Sequence, residues 1–262
     1  MTRVVKIGGR AQGDARLAPA LAAAARAGPR APAAGTSATL CVVHGGGDEV
    51  SAVQRRLGLE PVFIGGRRVT RAEDLEVVRM VLSGTVNKRL VARLLAHGVR
   101  AVGISGEDAW LFAARATDAA TMGRVGGIVS VDPAIVLQLV AGGFVPVVSP
   151  LARDADDAGG GALNVNGDDA AAALAVALKA DELVFVADVP GVLEDGAVLH
   201  SLDVERAGSL VARGVAAGGM AAKLEAASAA LGGGVAHVRI AGLDGISDPA
   251  AGTRIVLSPT PV

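Results

Sequence analysis

Tyrosine is missing from this 262-residue chain, tryptophan occurs once and phenylalanine four times. Without aromatic platforms on which bases could stack, single-stranded nucleic acid is not an expected ligand. Charge of one sign is not in surplus either: 25 Lys and Arg against 26 Asp and Glu leave a net charge of −1. A protein that grips a phosphate backbone carries a basic excess. The single cysteine, Cys41, excludes an internal disulfide and a cysteine-rich zinc site, and reads as a small buried hydrophobe. The opening MTRVVKIGGR lacks the apolar core of a signal peptide. No uninterrupted apolar run reaches the ~18 residues that suggest a membrane span. A cytoplasmic protein with neither a membrane nor a nucleic-acid partner is expected.

What the chain has is apolar residues, 51% of the total, and 36 glycines, arranged in a rhythm. Val4–Ile7, Leu40–His44, Ala101–Ile104, Phe144–Val148, Glu182–Val186 and Ala236–Ile240 are short runs rich in Val and Ile, the pattern of buried strands. Helix-length segments separate several of them. Thr70–His97 opens on Thr-Arg-Ala-Glu, a capping box, and spaces Leu75, Val78, Leu82, Val86 and Leu90 near the helical period. Asp132-Pro133 starts a helix and Gly142-Gly143 stops one. The alternation predicts an α/β fold, a mainly parallel sheet sandwiched by helices. Pro61–Thr70 reads as a hairpin turning at Gly65-Gly66, Asp154–Gly161 as a flexible loop, and Gly28–Ser37 as a surface connection. A boundary falls near Ala180, dividing the chain into lobes 1–180 and 181–262.

Three glycine clusters follow predicted strands: Gly8-Gly9, Gly45-Gly46-Gly47 and Gly191 in Asp188-Val189-Pro190-Gly191. In an open α/β sheet such turns share one edge, and missing side chains let backbone N–H groups approach an anion. Neither GxxxxGK[ST] nor GxGxxG follows any of these strands, so a bound phosphate would need another architecture. Lys6 ends an otherwise apolar strand, a poor place for a solvated lysine. The stretch Asn164-Val-Asn-Gly-Asp-Asp169 puts four polar side chains ahead of an Ala-rich helix, more than capping requires.

VVKIGGR, VVHGGGDEVS, GGRRVT, MVLSGTVNKRLVARL, LNVNGDDAAAALA, VFVADVPGVL, GGMAAKLEAA and GTRIV, in this order, resemble the amino acid kinase family and, within it, its acetylglutamate kinases. The resemblance covers nearly the whole chain. It implies a two-lobed fold of that family and transfer of the γ-phosphoryl group of ATP to the γ-carboxylate of N-acetyl-L-glutamate, the second step of arginine biosynthesis. Mg²⁺ would arrive with ATP rather than in a fixed site. A carboxylate with a pKa near ~4.3 is already ionised, so no general base is called for. The task is to offset repulsion between anions.

By the same resemblance, Lys6 and Lys223 are the two catalytic lysines and Asp168 holds both. Asn164 contacts the α-substituents of the amino-acid substrate, with Asn166 a second contact. Arg68 clamps its α-carboxylate, a task suited to a guanidinium fork, while Arg67 is solvated and Asp169 is solvated or capping. Gly45 and Gly46 meet substrate and phosphoryl through backbone N–H, with Gly8 and Gly9 on the nucleotide side. His44 is structural. Asp188, Val189, Pro190, Gly191, Val192 and Leu193 form the ATP turn, and Val215, Ala216 and Ala217 flank the adenosine. Ala187 and Ala217 stand where relatives commonly carry hydroxyls. A homodimer through the two apolar stripes of Thr70–His97 is expected. Arginine insensitivity is expected as well, because Met1-Thr2-Arg3 leads directly into the first strand.

Competing substrates are N-succinylglutamate and an aminoadipate, N-acetylated or carrier-linked. HGGG and Asn164-x-Asn166 favour acetylglutamate over these, and Asn164-x-Asn166 with Arg68 favours an amino-acid acceptor over a nucleoside monophosphate. A non-catalytic amino-acid sensor would have lost a lysine or Asp168, and none is lost.

Overall fold

The structure, a computed structural model, describes residues 1–27 and 39–258. The connection Gly28–Ser37 lies outside the described residues. Among those described, eight strands form the central sheet. They are β1 (Thr2–Ile7), β2 (Thr39–His44), β5 (Ala101–Ser105), β8 (Val145–Ser149), β11 (Glu182–Val186), β14 (Ser201–Asp203), β15 (His237–Ala241) and β16 (Thr253–Val256). Their order is β14-β16-β15-β11-β1-β2-β8-β5, parallel throughout except for β15 against β16. All six strands expected from the Val/Ile runs lie in this sheet.

Helices cover both faces, as an all-round apolar strand requires. They are α1 (Leu17–Arg26), α2 (Gly47–Arg56), α3 (Ala72–Arg79), α4 (Asn87–Ala96), α5 (Ala119–Met122), α6 (Ala134–Ala141), α7 (Gly167–Ala177), α8 (Val204–Ala212) and α9 (Gly219–Gly232). The period of two sorts β1 between the layers: Val4 joins the core that contains α7 and α9, whereas Val5 and Ile7 join the core under α1 and α4. Lys6 therefore points to the α7 side, and that parity decides where its charge goes.

Smaller β units complete the fold. Hairpin β3 (Phe63–Ile64) and β4 (Arg67–Arg68) lies where the Gly65-Gly66 turn is expected. Strands β6 (Phe112–Ala116), β7 (Val125–Val131), β9 (Leu151–Asp154) and β10 (Ala162–Val165) close into a small barrel, and β12 (Leu193–Glu194) pairs with β13 (Ala197–Val198). The barrel corrects one expectation. Asp154–Gly161 is the turn of a β9–β10 hairpin, in which Asp154 N–H donates to the Gly161 carbonyl at 2.8 Å. The hairpin delivers Asn164 in register to the site.

The long helix starts one residue later than its capping box suggests. Asp74, not Glu73, accepts from the N–H of Arg71 at 3.1 Å, while Thr70 is wholly buried. Between α3 and α4 the helix widens to π geometry over Met80–Val86. Its expected second apolar stripe reduces to Met80 and Leu95, the large apolar side chains that stay exposed on it.

Candidate active site

Register brings the glycine turns together. Ile7 is level with His44 on one side and Val186 on the other, so β1, β2 and β11 end side by side and Gly8, Gly45 and Asp188 follow within a few residues. Gly45 N–H donates to the Ile7 carbonyl at 2.9 Å, tying two of these turns. Gly46 adopts φ +152°, and a Cβ there would stand 2.8 Å from Leu82 Cδ2. Only glycine fits both the torsion and the space.

His44 shapes the same loop from below. Its ring is buried, with Nδ1 2.8 Å from the Gly45 carbonyl and Nε2 3.1 Å from Asn87 Nδ2. Nδ1 must donate to a carbonyl, and Nε2 then accepts from Asn87, so the ring is neutral with the proton on Nδ1. Burial pushes its pKa down to about 4, consistent with that state. Peptide planarity sends the Gly46 N–H to the side opposite the carbonyl that His44 holds.

Four polar residues open α7, and each has its own partner. Asn166 is the N-cap: its Oδ1 accepts from Asp168 N at 2.7 Å and from Asp169 N at 3.4 Å. Asn164 donates to Thr70 Oγ1 at 3.0 Å. Asp168 is buried and holds two lysines, with Lys6 Nζ 2.8 Å from Oδ1 and Lys223 Nζ 3.5 Å from Oδ2. Lys223 Nζ also donates to the Gly219 carbonyl at 3.3 Å, on its own helix α9. Asp169 pairs with Arg67 at 2.9 Å. That pair corrects the expectation that both residues are merely solvated.

Two buried ammonium groups share the Asp168 carboxylate, and Asp188 is the other acid that acts on Lys223. The pKa of Lys223 is pushed below its ordinary 10.5, chiefly by burial and then by the charge of Lys6. Gly8 sits where the two lysines meet: a Cβ there would be 2.8 Å from Lys6 Nζ and 3.8 Å from Lys223 Nζ. A side-chain-free cradle beside two ammonium groups fits a phosphoryl group.

Beside Gly45–Gly47 lies a cavity of about 180 Å³, lined also by the hairpin, Pro150, Asn164–Gly167 and an apolar wall that includes Val50, Val78 and Leu82. Arg68 is buried beside it, over the ring of Phe63 at 4.7 Å. Its Nη1 donates to Gln54 Oε1, and Nη2 donates to the Gly47 carbonyl and Ser51 Oγ, both at 2.7 Å. These hydrogen-bond partners are all neutral, and the acids Asp74 and Asp48 act on the guanidinium only from a distance. Sequence reasoning missed Ser51 and Gln54. Their signal was polarity at two positions one turn apart on a face that also carries Val50.

After β11, Asp188 reaches back to the first turn, accepting from Ala11 N–H at 3.3 Å, and its carboxylate stands 2.9 Å from where a Gly9 Cβ would be. Val192 and Ala216 are buried in the core, and their N–H groups are committed to Thr253 Oγ1 and the Leu210 carbonyl. They shape the turns. Of their neighbours, Asp188, Pro190, Leu193, Val215 and Ala217 are exposed, Val189 is half-buried and Gly191 is buried.

The sequence model of the amino acid kinase family matches residues 1–242. The chain belongs to the amino acid kinase family. It is 43% identical over 253 residues to an acetylglutamate kinase of Chloroflexus aurantiacus, covering 96% of this chain and 95% of that one. Against an acetylglutamate kinase of Methanopyrus kandleri the identity is 44% over 215 residues, 78% of this chain and 86% of the other. The crystal structure of smu.665 from Streptococcus mutans superposes with a TM-score of 0.84 at 27% identity, over 98% of this chain and 99% of that one. Membership of this kinase family implies ATP as phosphoryl donor, generally with Mg²⁺. The Lys6–Asp168–Lys223 cluster, with its two ammonium groups, suits the donor's phosphates. Among the described residues no group of three or more His, Cys, Asp or Glu is placed to hold a metal, and no helix is long and apolar enough to cross a membrane.

Proposed function

We propose that this chain phosphorylates the γ-carboxylate of N-acetyl-L-glutamate with ATP, giving N-acetylglutamyl 5-phosphate, the second step of arginine biosynthesis. The observation that carries the reading is the pair of buried lysines on Asp168 beside a pocket whose one buried cation, Arg68, has only neutral hydrogen-bond partners. Arg68 meets the α-carboxylate with the donors its three partners leave free, Nε–H and one Nη1–H. The pocket's described lining contains no Asp or Glu, so a free α-ammonium would be buried without a counter-ion. An acylated nitrogen carries no such charge. Asn164 has committed its Nδ2 to Thr70, which leaves its Oδ1 as the acceptor for an amide N–H. Asn166 has committed its Oδ1 to the helix cap, and its amide nitrogen is the remaining donor. Drug-sized pockets run to ~300–1,000 Å³, so a cavity of about 180 Å³ suits a small acyl amino acid better than a nucleoside.

ATP supplies the transferred phosphoryl group. Lys6, on β1, meets it from the acceptor side, and Lys223, on α9, from the nucleotide side. Asp168 keeps the two ammonium groups apart and aimed. Gly8, Gly9, Gly45 and Gly46 supply backbone N–H groups, and the nucleotide rests on Asp188–Leu193 and Val215–Ala217. Residues 1–180 form the acceptor and dimerisation lobe and residues 181–262 the nucleotide lobe, joined through the shared sheet. A cytoplasmic homodimer, insensitive to L-arginine, completes the reading. The segment Thr70–His97, on which Met80 and Leu95 stay exposed, offers the apolar face for it.

The test is a substrate panel with Mg-ATP and hydroxylamine trapping of the acyl phosphate. N-acetylglutamate should give the strongest signal over glutamate, N-succinylglutamate and N-acetylaminoadipate. Trapping from another member in its place would reassign the substrate, and no trapping from any would favour a sensor. Light scattering that shows a monomer, or inhibition by submillimolar arginine, would overturn the assembly and regulatory parts.

A further inference from the structure

Two arginines sit side by side on β4, and neighbouring side chains on a strand leave by opposite faces. Arg68 goes inward to Gln54, Ser51 and Gly47. Arg67 also edges the acceptor pocket but carries its guanidinium the other way, with Nη1 2.9 Å from Asp169 and Nη2 3.9 Å from Glu225. The two acids are placed next to the charged centre. Asp169 follows Asp168 at the start of α7, and Glu225 lies two residues beyond Lys223 on α9. The tip of the hairpin touches the same helix: a Cβ on Gly66 would stand 3.5 Å from Gly218 Cα, the N-cap of α9. A hairpin of two-residue strands is marginal by itself and takes its position from what holds it. Here Arg68 ties it to α2 and Arg67 ties it to the helices that carry Asp168 and Lys223.

We propose that Arg67 is a positioning residue, a latch through which filling the acceptor pocket strengthens nucleotide binding. The inference rests on the acceptor reading above. A carboxylate seated on Arg68 orders the hairpin. Arg67 then holds the N-terminal turns of α7 and α9 against it, with Lys223 turned toward the phosphates. Coupling of this kind is reciprocal, so nucleotide tightens acceptor binding by the same factor. Arg67 and Asp169 are about one third exposed, which makes the pair weak. A gain of about three- to five-fold is the expected scale.

The experiment measures calorimetric binding of the non-hydrolysable analogue Mg-AMP-PNP, with and without saturating N-acetyl-L-glutamate. Wild type should gain about three- to five-fold in affinity, and higher ionic strength should erase the gain. R67A should bind the nucleotide alone as wild type does and lose the gain, R67K should keep part of it, and the exchanged pair R67D/D169R should restore it. A full gain in R67A, or no gain in a wild type that binds both ligands, overturns the latch. A wild type that binds nucleotide but no N-acetylglutamate overturns the acceptor reading instead, and the latch falls with it.

Discussion

The acceptor side of the site is built from side chains that hold one another. Arg68 is fixed by three acceptors, Asn164 by Thr70, and Asn166 by the helix it caps. The nucleotide side is built from turns. Val192 and Ala216 face the core, Ala187 and Ala217 bring no hydroxyl, and Val215 is half exposed. The contrast teaches how the two ligands would be told apart: the acceptor by matched charge and hydrogen bonds, the nucleotide by backbone and by the lysine pair. Pre-organised side chains lose little freedom on binding and reject molecules that leave them unpaired. Backbone turns accept phosphates with less discrimination.

The lysine pair stands between the two sides, and its removal should have the largest effect. Lys6→Ala or Lys223→Ala should each lower kcat at least about 10²-fold, the scale for losing one pre-organised charge-stabilising group. Near-normal turnover in either variant would take that residue out of the chemistry. Lys223 should also set an alkaline limb. It acts when protonated and its pKa lies below 10.5 in the free protein, so kcat/KM for ATP should fall at a lower pH than an ordinary lysine would dictate. The limb in kcat should lie higher, because a bound anion favours the ammonium form. Coincident limbs would contradict this.

Arg68→Ala should raise KM for the amino-acid substrate about 10²-fold, the loss of a charged hydrogen-bonded pair worth ~3 kcal/mol, and raise KM for ATP by no more than the about three- to five-fold that the latch supplies. An equal rise in both constants would erase the contrast between the sides. The loop beneath the site should respond to acid. His44 has a pKa of about 4 when folded against 6.5 unfolded, so its contribution is complete above pH ~6.5 and is lost as pH falls toward 4. The loss amounts to roughly 3 kcal/mol by linkage. Urea melts of wild type and His44→Gln across that window should converge in acid, and parallel curves would discard the assignment. The smallest effect belongs to the nucleotide side. Ala187→Ser adds one hydrogen-bonding group and should lower KM for ATP only about two- to five-fold, with acceptor KM unmoved.

Much of this molecule is legible in one dimension. The six Val/Ile runs determine the central strands, because a strand buried on both faces must be apolar throughout. The turns after β1, β2 and β11 carry glycine where a Cβ would meet Lys6, Asp188, Leu82 or Thr253, and Gly9 and Gly46 also adopt positive φ. The family resemblance pointed to Lys6, Asp168 and Lys223 as a set. Tertiary structure decided the rest. The barrel of β6, β7, β9 and β10 escaped notice because its strands are short, carry Arg and Gly, and pair across long separations, so no local period marks them. That Asn166 caps while Asn164 faces Thr70 depends on where β10 ends and α7 begins. Arg67 and Arg68 are equal in composition and adjacent in sequence. Strand parity sends one to buried neutral acceptors and the other to Asp169, 102 residues away, and pairing at that range is set by the fold alone.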